Sequence, residues 1–402
     1  MLLKIKKVIT GISLVCLAII NTAQSFGQTD SQEKLNAITT AVPFLLIAPD
    51  TRAGAMGDAG VSTSPDANSI YWNPSKLAFI EKDMGFSLSY IPWLRALVPD
   101  INLSYISGFK RIDKDQTIAG SLFYSSLGQI SFTAEDGSSL GDYRPNEFAL
   151  NVAYSRKLSD NFSAGLGAKY IYSNLTMGQT VGGAQTKPGQ SFAMDVSMYY
   201  RKTDIDVGKT AAVFAFGLNA SNIGAKMSYS NAGIRNFIPI NLRLGPSLTL
   251  KPDDYNSLAF TIDAMKLMVP TPPARNLSNE IVAGKNPDVG IASAIFQSFY
   301  DAPGVLDADG KRNVIKEEIR EINLAFGTEY WYDKQFALRF GYFHEHATKG
   351  NRKFLTFGAG LKYNVFGLDL AYLVATQQRN PLGNTFRFTL TFDFDAFKSQ
   401  SN

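Results

Sequence analysis

The chain carries few residues whose types and spacing could do chemistry. Its two histidines, His344 and His346, stand two apart. In a strand that spacing puts both imidazoles on one face, as a metal pair would need. No cysteine joins them, and the neighbouring Glu345 would point the other way, so the preferred reading is a solvated strand end beside a connection. Asp307, Asp309 and Gly310 imitate part of a calcium loop. The first ligand of an EF-hand would then fall on Val305 and the last on Lys316, so these residues read as a turn. Glu317, Glu318 and Glu321 fall on a short amphipathic helix expected over Lys311 to Ile322, with Val314, Ile315 and Ile319 on its apolar side. The carboxylates read as its solvated face rather than as a catalytic pair. With only two imidazoles and no elbow of the GxSxG kind expected, a serine hydrolase has little support. With no acid, base or nucleophile cluster, no enzyme, metal or cofactor is expected.

Cys16 is the only cysteine. It lies in the apolar run Val8 to Ile20, which follows Lys4, Lys6 and Lys7 and precedes the small residues Ala23, Ser25 and Gly27. This is the pattern of a secretory leader, predicted over 1–27, and the run is too short for a membrane span of about 20 residues. Val15 precedes the cysteine where a lipoprotein signal needs a small residue. Loss of the leader removes the only thiol, which excludes disulfides, thiolate metal sites and cysteine nucleophiles. It also removes three lysines, taking the formal charge from +4 to about +1. That balance gives no electrostatic case for a nucleic-acid partner.

Charged residues are only 18% and aromatic residues 12%, yet the mean hydropathy is -0.06, so apolar and polar residues must be interleaved. From Met84 onward they alternate. Phe386, Phe388, Leu390, Phe392 and Phe394 are separated by Arg387, Thr389, Thr391 and Asp393. Phe162, Ala164, Leu166, Ala168 and Tyr170 are separated by Ser163, Gly165, Gly167 and Lys169. Phe192, Met194, Val196 and Met198 face away from Asp195 and Ser197, and Leu368, Leu370, Tyr372 and Val374 face away from Asp369. Period-two alternation gives strands with one apolar and one polar face. About 14 such runs, an even number, fit an all-β transmembrane antiparallel barrel with lipid outside and a polar lumen.

The connections support the same reading. Every second one is short and built from turn residues, as at Asp113 to Asp115, Ser159 to Asn161 and Asn364 to Gly367. The others are long, as at Ser126 to Arg144, Asn174 to Gln190 and Val269 to Arg320. Outer-membrane barrels show this asymmetry between periplasmic turns and extracellular loops, which places both termini in the periplasm. Tyr105, Tyr124, Tyr154, Tyr172 and Tyr330 near strand ends fit interfacial girdles. A soluble sandwich would show shorter strands and no such parity of loops.

Before the barrel, residues 28–43 read as a flexible arm. Residues 44–80, rich in small residues and marked by Pro49, Pro65 and Pro74, read as a plug or a run of short helices. The barrel is expected over 81–397, with a long extracellular loop at 269–320 and a short tail at 398–402. Ile291, Ile295, Phe296 and Phe299 in that loop are candidate partner contacts, because a long loop with apolar residues suggests docking.

Arg52-Ala-Gly-Ala-Met-Gly-Asp-Ala-Gly60 and Asp66-Ala-Asn-Ser-Ile-Tyr-Trp-Asn-Pro-Ser75 resemble the N-terminal hatch of FadL-like barrels, where a glycine-rich stretch leads to an Asn-Pro-Ala element. Ser75 departs from that element. With Ala48-Pro-Asp-Thr preceding and Tyr71-Trp-Asn-Pro74 following, the segment looks like that of the PorV family, the FadL-like outer-membrane subunits of the type IX secretion system of Bacteroidota. The resemblance implies a non-catalytic protein in the outer membrane. Its implied partners are the very large translocon barrel, secreted cargo bearing a C-terminal domain, and the cell-surface attachment complex with its sortase-like peptidase. A FadL-like transporter of hydrophobic small molecules is the alternative. The hatch residues marked by the resemblance are Gly54, Gly57, Asp58, Gly60, Asn73 and Pro74. The glycines are expected to permit tight backbone turns, and Asn73 with Pro74 to fix the turn into the first strand.

Overall fold

The computed structural model describes residues 35–394 apart from 96–97, 135, 182–183, 232, 234, 308 and 378–381. The expected leader, Cys16 and the tail at 398–402 lie outside the described residues. Fourteen antiparallel strands close into one barrel in strict sequence order. They are β1 Met84–Pro92, β2 Asn102–Arg111, β3 Gln116–Ser126, β4 Asn146–Ser159, β5 Phe162–Asn174, β6 Gly189–Val207 and β7 Thr210–Gly224. The second half comprises β8 Asn241–Lys251, β9 Asn256–Leu267, β10 Asn323–Tyr332, β11 Phe336–His344, β12 Lys353–Tyr363, β13 Phe366–Ala375 and β14 Thr385–Asp393. Closure pairs β1 with β14, from Gly85 opposite Asp393 to Tyr90 opposite Phe388. A closed barrel leaves no backbone edge unpaired, the condition for strands to cross a bilayer.

The alternation places side chains as expected. On β6, Phe192 is 71% exposed on the outer face while Asp195 is 1% exposed toward the lumen. On β14, Phe386, Phe388 and Leu390 face out, and Arg387 and Thr389 are buried within. Connections at one end of the barrel are short, at 112–115, 160–161, 208–209, 252–255, 333–335 and 364–365. At the other end they span 93–101, 127–145, 175–188, 225–240, 268–322, 345–352 and 376–384. Short two-stranded hairpins decorate the long connections. Tyr124 and Tyr154 stand on the outer face, but Tyr105, expected in the girdle, turns inward and packs edge-on to Phe123 and Tyr71.

Phe123 and Tyr105 turn inward because the lumen is occupied. Residues 43–80 run through it as a chain of short pieces: a 3-10 turn at Pro43–Leu46, α1 Thr51–Gly54, α2 Ser69–Trp72 and a second 3-10 turn at Pro74–Phe79. Val42 and, from this stretch, Phe44, Leu45, Ile70 and Leu77 form an apolar core with Leu103, Tyr105, Phe109 and Ile171 of the wall. Full burial of each such side chain stabilises by about 1.5–3 kcal/mol. Inward glycines give the chain room: a side chain at Gly217 would strike the Val61 carbonyl, and one at Gly341 the Gly57 amide.

The expected periplasmic position of both termini does not follow from this path. Asn36 N–H donates to Thr348 O at 2.8 Å and Ala41 N–H to Phe237 O at 2.8 Å, both within connections of the long-loop end. Lys82 pairs with Asp393 at the short-turn end. The chain therefore enters the lumen at the long-loop end and leaves it at the other before β1 begins. An even strand number puts Met84 and Asp393 at the same end, but it says nothing of a segment that first traverses the barrel. The stretch expected as a flexible arm is held from Asn36 onward, with Val42 fully buried.

Candidate functional site

The inner segment is tied to the wall by charged groups. Asp50 caps α1, its Oδ2 accepting from the Ala53 amide while its Oδ1 accepts from Trp72 Nε1. Two residues on, Arg52 donates to Glu329 of β10 at 2.7 Å and to Asp66 at 2.8 Å. Glu329 also accepts from Arg339 of β11 at 2.7 Å, and Arg339 reaches Asp369 of β13 at 2.6 Å. This row of alternating charge spans the short-turn half of the lumen, where each ion has a partner that offsets its desolvation. Arg243 of β8 holds the middle: it donates to the Asp58 carbonyl at 2.6 Å, lies over the Trp72 ring and approaches Asp263 at 3.4 Å. Asp263 in turn accepts from the amides of Gly60 and Val61 at 2.8 and 2.9 Å.

The expected hatch residues are brought together here, though not all in the expected role. Gly57 has φ +67° and Asp58 φ 64°, so a left-handed pair makes the turn. Gly54 and Gly60 have ordinary backbone angles and supply space instead, beneath Arg387 and Trp72 respectively. Asn73 accepts from the Ser75 amide and donates from Nδ2 to Val61 O and Met198 O, each at 3.0 Å. With Pro74 at the first position it caps the 3-10 turn and pins it to β6. Lys76, fully buried, donates to Gly60 O at 2.7 Å. Nothing in the spacing of the sequence joined Arg52 to Glu329 or Arg387 to Asp58, since those partners lie 277 and 329 residues apart.

The long connection 268–322 forms the second part of the site. It carries α3 Ile291–Gln297 and α4 Val314–Arg320. Of the expected contact residues, Phe296 and Phe299 are exposed, whereas Ile291 and Ile295 pack against the core around the lumen mouth. The helix expected over 311–322 forms, but with the opposite face outward. Glu317, Glu318 and Glu321 are buried, and Ile315 and Ile319 are exposed. The cause is a pair of lysines beneath: Lys266 of β9 donates to Glu318 and Glu321 at 2.9 and 2.6 Å, and Lys349 to Glu317 and Glu321 at 2.6 and 2.9 Å. Burial pushes the Glu317 carboxyl up, but the hydrogen bonds from Lys349 and Asn36 outweigh it and hold the group below its ordinary value. Asp301, beside the same cluster, is raised by burial to about 6, which hydrogen bonds from Gln297 and Thr271 only partly offset.

The histidines do not form a pair. His344 ends β11 beside the Tyr342 hydroxyl at 3.3 Å, and His346 caps the 3-10 turn Ala347–Lys349 through the Thr348 amide. Asp307 approaches Lys316 at 3.4 Å. Among the described residues no three His, Cys, Asp or Glu side chains gather as a metal site would require. Contrary to the expectation that no GxSxG elbow occurs, Gly137-Ser-Ser-Leu-Gly141 has its letters. It lies at an exposed hairpin of the 127–145 connection, far from the strand-to-helix turn that chemistry needs. Among the described residues the lumen keeps recesses of about 200, 300 and 370 Å³, the last between residues 37–46 and the walls of β8, β9 and β11.

The family profile described as "Type IX secretion system protein PorV" matches residues 29–274. Among curated proteins, none matches the chain. Several solved structures are similar to the chain. The Pseudomonas putida toluene transporter TodX is 13% identical, with 89% of this chain and 98% of that one covered at a TM-score of 0.48. A Pseudomonas aeruginosa FadL homologue is 12% identical, with 90% and 100% covered at 0.43. The Ralstonia pickettii toluene transporter TbuX is 12% identical, with 86% and 98% covered at 0.44.

Proposed function

The chain belongs to the PorV family of type IX secretion system proteins, and from that premise we propose that this outer-membrane barrel is a non-catalytic partner of the translocon barrel. In this reading it receives cargo by the cargo's C-terminal domain and delivers it to the attachment complex with its sortase-like peptidase. The long-loop end faces the cell exterior.

The observation that carries this reading is the occupied lumen. A segment cross-tied to the wall through Arg52, Asp58, Asp263 and Asn73 occupies the lumen, which supports a role in offering surface to partners over one in conduction. The exposed Phe296 and Phe299, on a connection anchored by buried ion pairs, supply an apolar contact held in a fixed place. The transporter alternative would need a lateral exit between strands. Every neighbouring pair is hydrogen-bonded, and where β7 bulges at Asn222 its amide is taken by Asp195 at 2.8 Å.

The test is purification of the tagged protein from native membranes in mild detergent, with mass spectrometry of what accompanies it. Recovery of a giant outer-membrane barrel or of secreted proteins sharing a C-terminal domain is expected. The barrel alone with bound hydrophobic ligand would favour the transporter.

A further inference from the structure

Helix α4 turns its aliphatic side away from the protein, which is the arrangement of a surface facing an apolar medium. Below it, Leu242 and Leu244 of β8 and Ala264 of β9 belong to the outer face of the wall, in line with Phe260 and Ile262. Together with Phe299, Tyr300, Ile315, Ile319 and Ile322 they line an apolar groove of about 280 Å³ on the outside of the barrel. Its floor is continuous with the lipid-facing belt.

It lies near the long-loop ends of β8 and β9. Tyr124, Phe148 and Tyr172 stand in one cross-strand row on β3, β4 and β5, near the long-loop ends of those strands, and form an aromatic girdle there. Near their own long-loop ends β8 and β9 turn Leu242, Leu244, Ala264 and Lys266 to the outer side. The connection supplies what the strands lack: Phe299 and Tyr300 bring the aromatic rings, and Glu318 with Glu321 neutralises Lys266, whose charge would otherwise face lipid. Lys285 lies 3.7 Å above the Tyr300 ring, with its own side chain exposed, and places a cation at the groove's mouth.

We propose that this groove takes one acyl chain of a lipid from the leaflet at the long-loop end, with Lys285 meeting the lipid's anionic headgroup. An aliphatic trough fits the chain, a lysine at the aromatic level fits a phosphate, and continuity with the belt gives the lipid a way in. A partner protein seated in the groove is the competing occupant.

The full chain would be reconstituted in phosphatidylethanolamine vesicles containing phosphatidylglycerol with a photoactivatable acyl chain, and labelled peptides mapped. Labelling of 296–300 and 314–322 is expected well above that of the exposed hairpin 274–283. It should be lost in Ala264→Trp, which fills the groove, while labelling of Phe386 to Leu390 on another wall persists. Ile319→Glu, a surface change that leaves the barrel interior intact, should lose it too, and Lys285→Glu should lose the preference for phosphatidylglycerol. Labelling no higher than that of the hairpin, or unchanged in Ala264→Trp and Ile319→Glu, overturns the proposal. So does a photocrosslinker at Ile315 that captures protein rather than lipid in native membranes.

Discussion

Arg387 of β14 donates to the carboxylate of Asp58 at 3.0 Å, joining the last strand of the barrel to a turn 329 residues earlier in the chain. The arginine side chain is 2% exposed and lies across Gly54. The inner segment and the final strand therefore complete one another. Removing one partner of a buried pair costs about 3–5 kcal/mol, because the other charge is left desolvated and unpaired. Arg387→Ala is expected to destabilise by that order. Asp58→Asn with Arg387→Met, which removes both charges, should recover part of the loss. The temperature at which the folded barrel band disappears on semi-native electrophoresis reads both, and a double variant no better than Arg387→Ala would count against the pair.

Gly57 and Gly208 share φ +67° yet differ in surroundings. At Gly208, in the turn between β6 and β7, a methyl would meet nothing within 4 Å. At Gly57 it would press on the Tyr342 backbone at 2.7 Å. Left-handed backbone costs an alanine about 1–2 kcal/mol at either site. Gly208→Ala should show only that cost. Gly57→Ala should add a steric term that displaces the turn carrying Asp58, and so lower the unfolding temperature further. Equal effects of the two substitutions would show that the inner turn yields freely.

Docking of the 268–322 connection should depend on pH in two opposed ways. The Asp301 carboxyl is raised from 3.8 to about 6, so in the docked state it holds its proton more tightly. Its contribution is complete below the lower value and lost as pH rises through about 6. Glu317 is lowered from 4.5, so its contribution is present above that value and lost on further acidification. Docking should tighten as pH falls from 7 through about 6 toward 4.5, and the Glu317 contribution is lost only on acidification below that. A spin label at Phe296→Cys, with Cys16→Ser so that the chain carries no other thiol, should lose mobility over the first interval, and Asp301→Asn should abolish that loss. A flat response of the unmodified Asp301 protein would refute the assignment.

Much of the barrel was legible because alternation is a local signal. Phe192 beside Asp195 on β6 needs only period two and a lipid exterior to be placed. Tyr105 was not placed, because on β2 the inward residues Leu103, Tyr105 and Phe109 are as apolar as the outward Ile106. The lumen they face is filled by Phe44 and Tyr71, which sequence spacing does not connect to them. The amphipathic character of α4 was likewise legible, but not which face is covered. A rule written for water sends Glu317 and Glu321 outward, whereas Lys266 and Lys349 draw them in. The hatch glycines were found from their motif, and their separate reasons, a left-handed turn at Gly57 and space at Gly54 and Gly60, come only from what lies across the lumen.

The two ends of the described chain should be reached from opposite sides of the membrane. Strand parity alone would put them together, since β1 begins and β14 ends beside one another, with Gly85 paired to Asp393. The inner segment breaks that equivalence: Asn36 is bonded to Thr348, Pro272 and Glu317 of the long-loop end before the chain descends through the barrel. An epitope inserted immediately before Asn36 is therefore expected to bind antibody on intact cells. One placed after Phe394 should bind only once the outer membrane is permeabilised. A third epitope at the exposed Leu277, on the long connection, fixes which end faces out and should behave as the first does. If the Asn36 and Phe394 epitopes respond alike while the Leu277 epitope is accessible, residues 36–80 do not traverse the lumen in the cell.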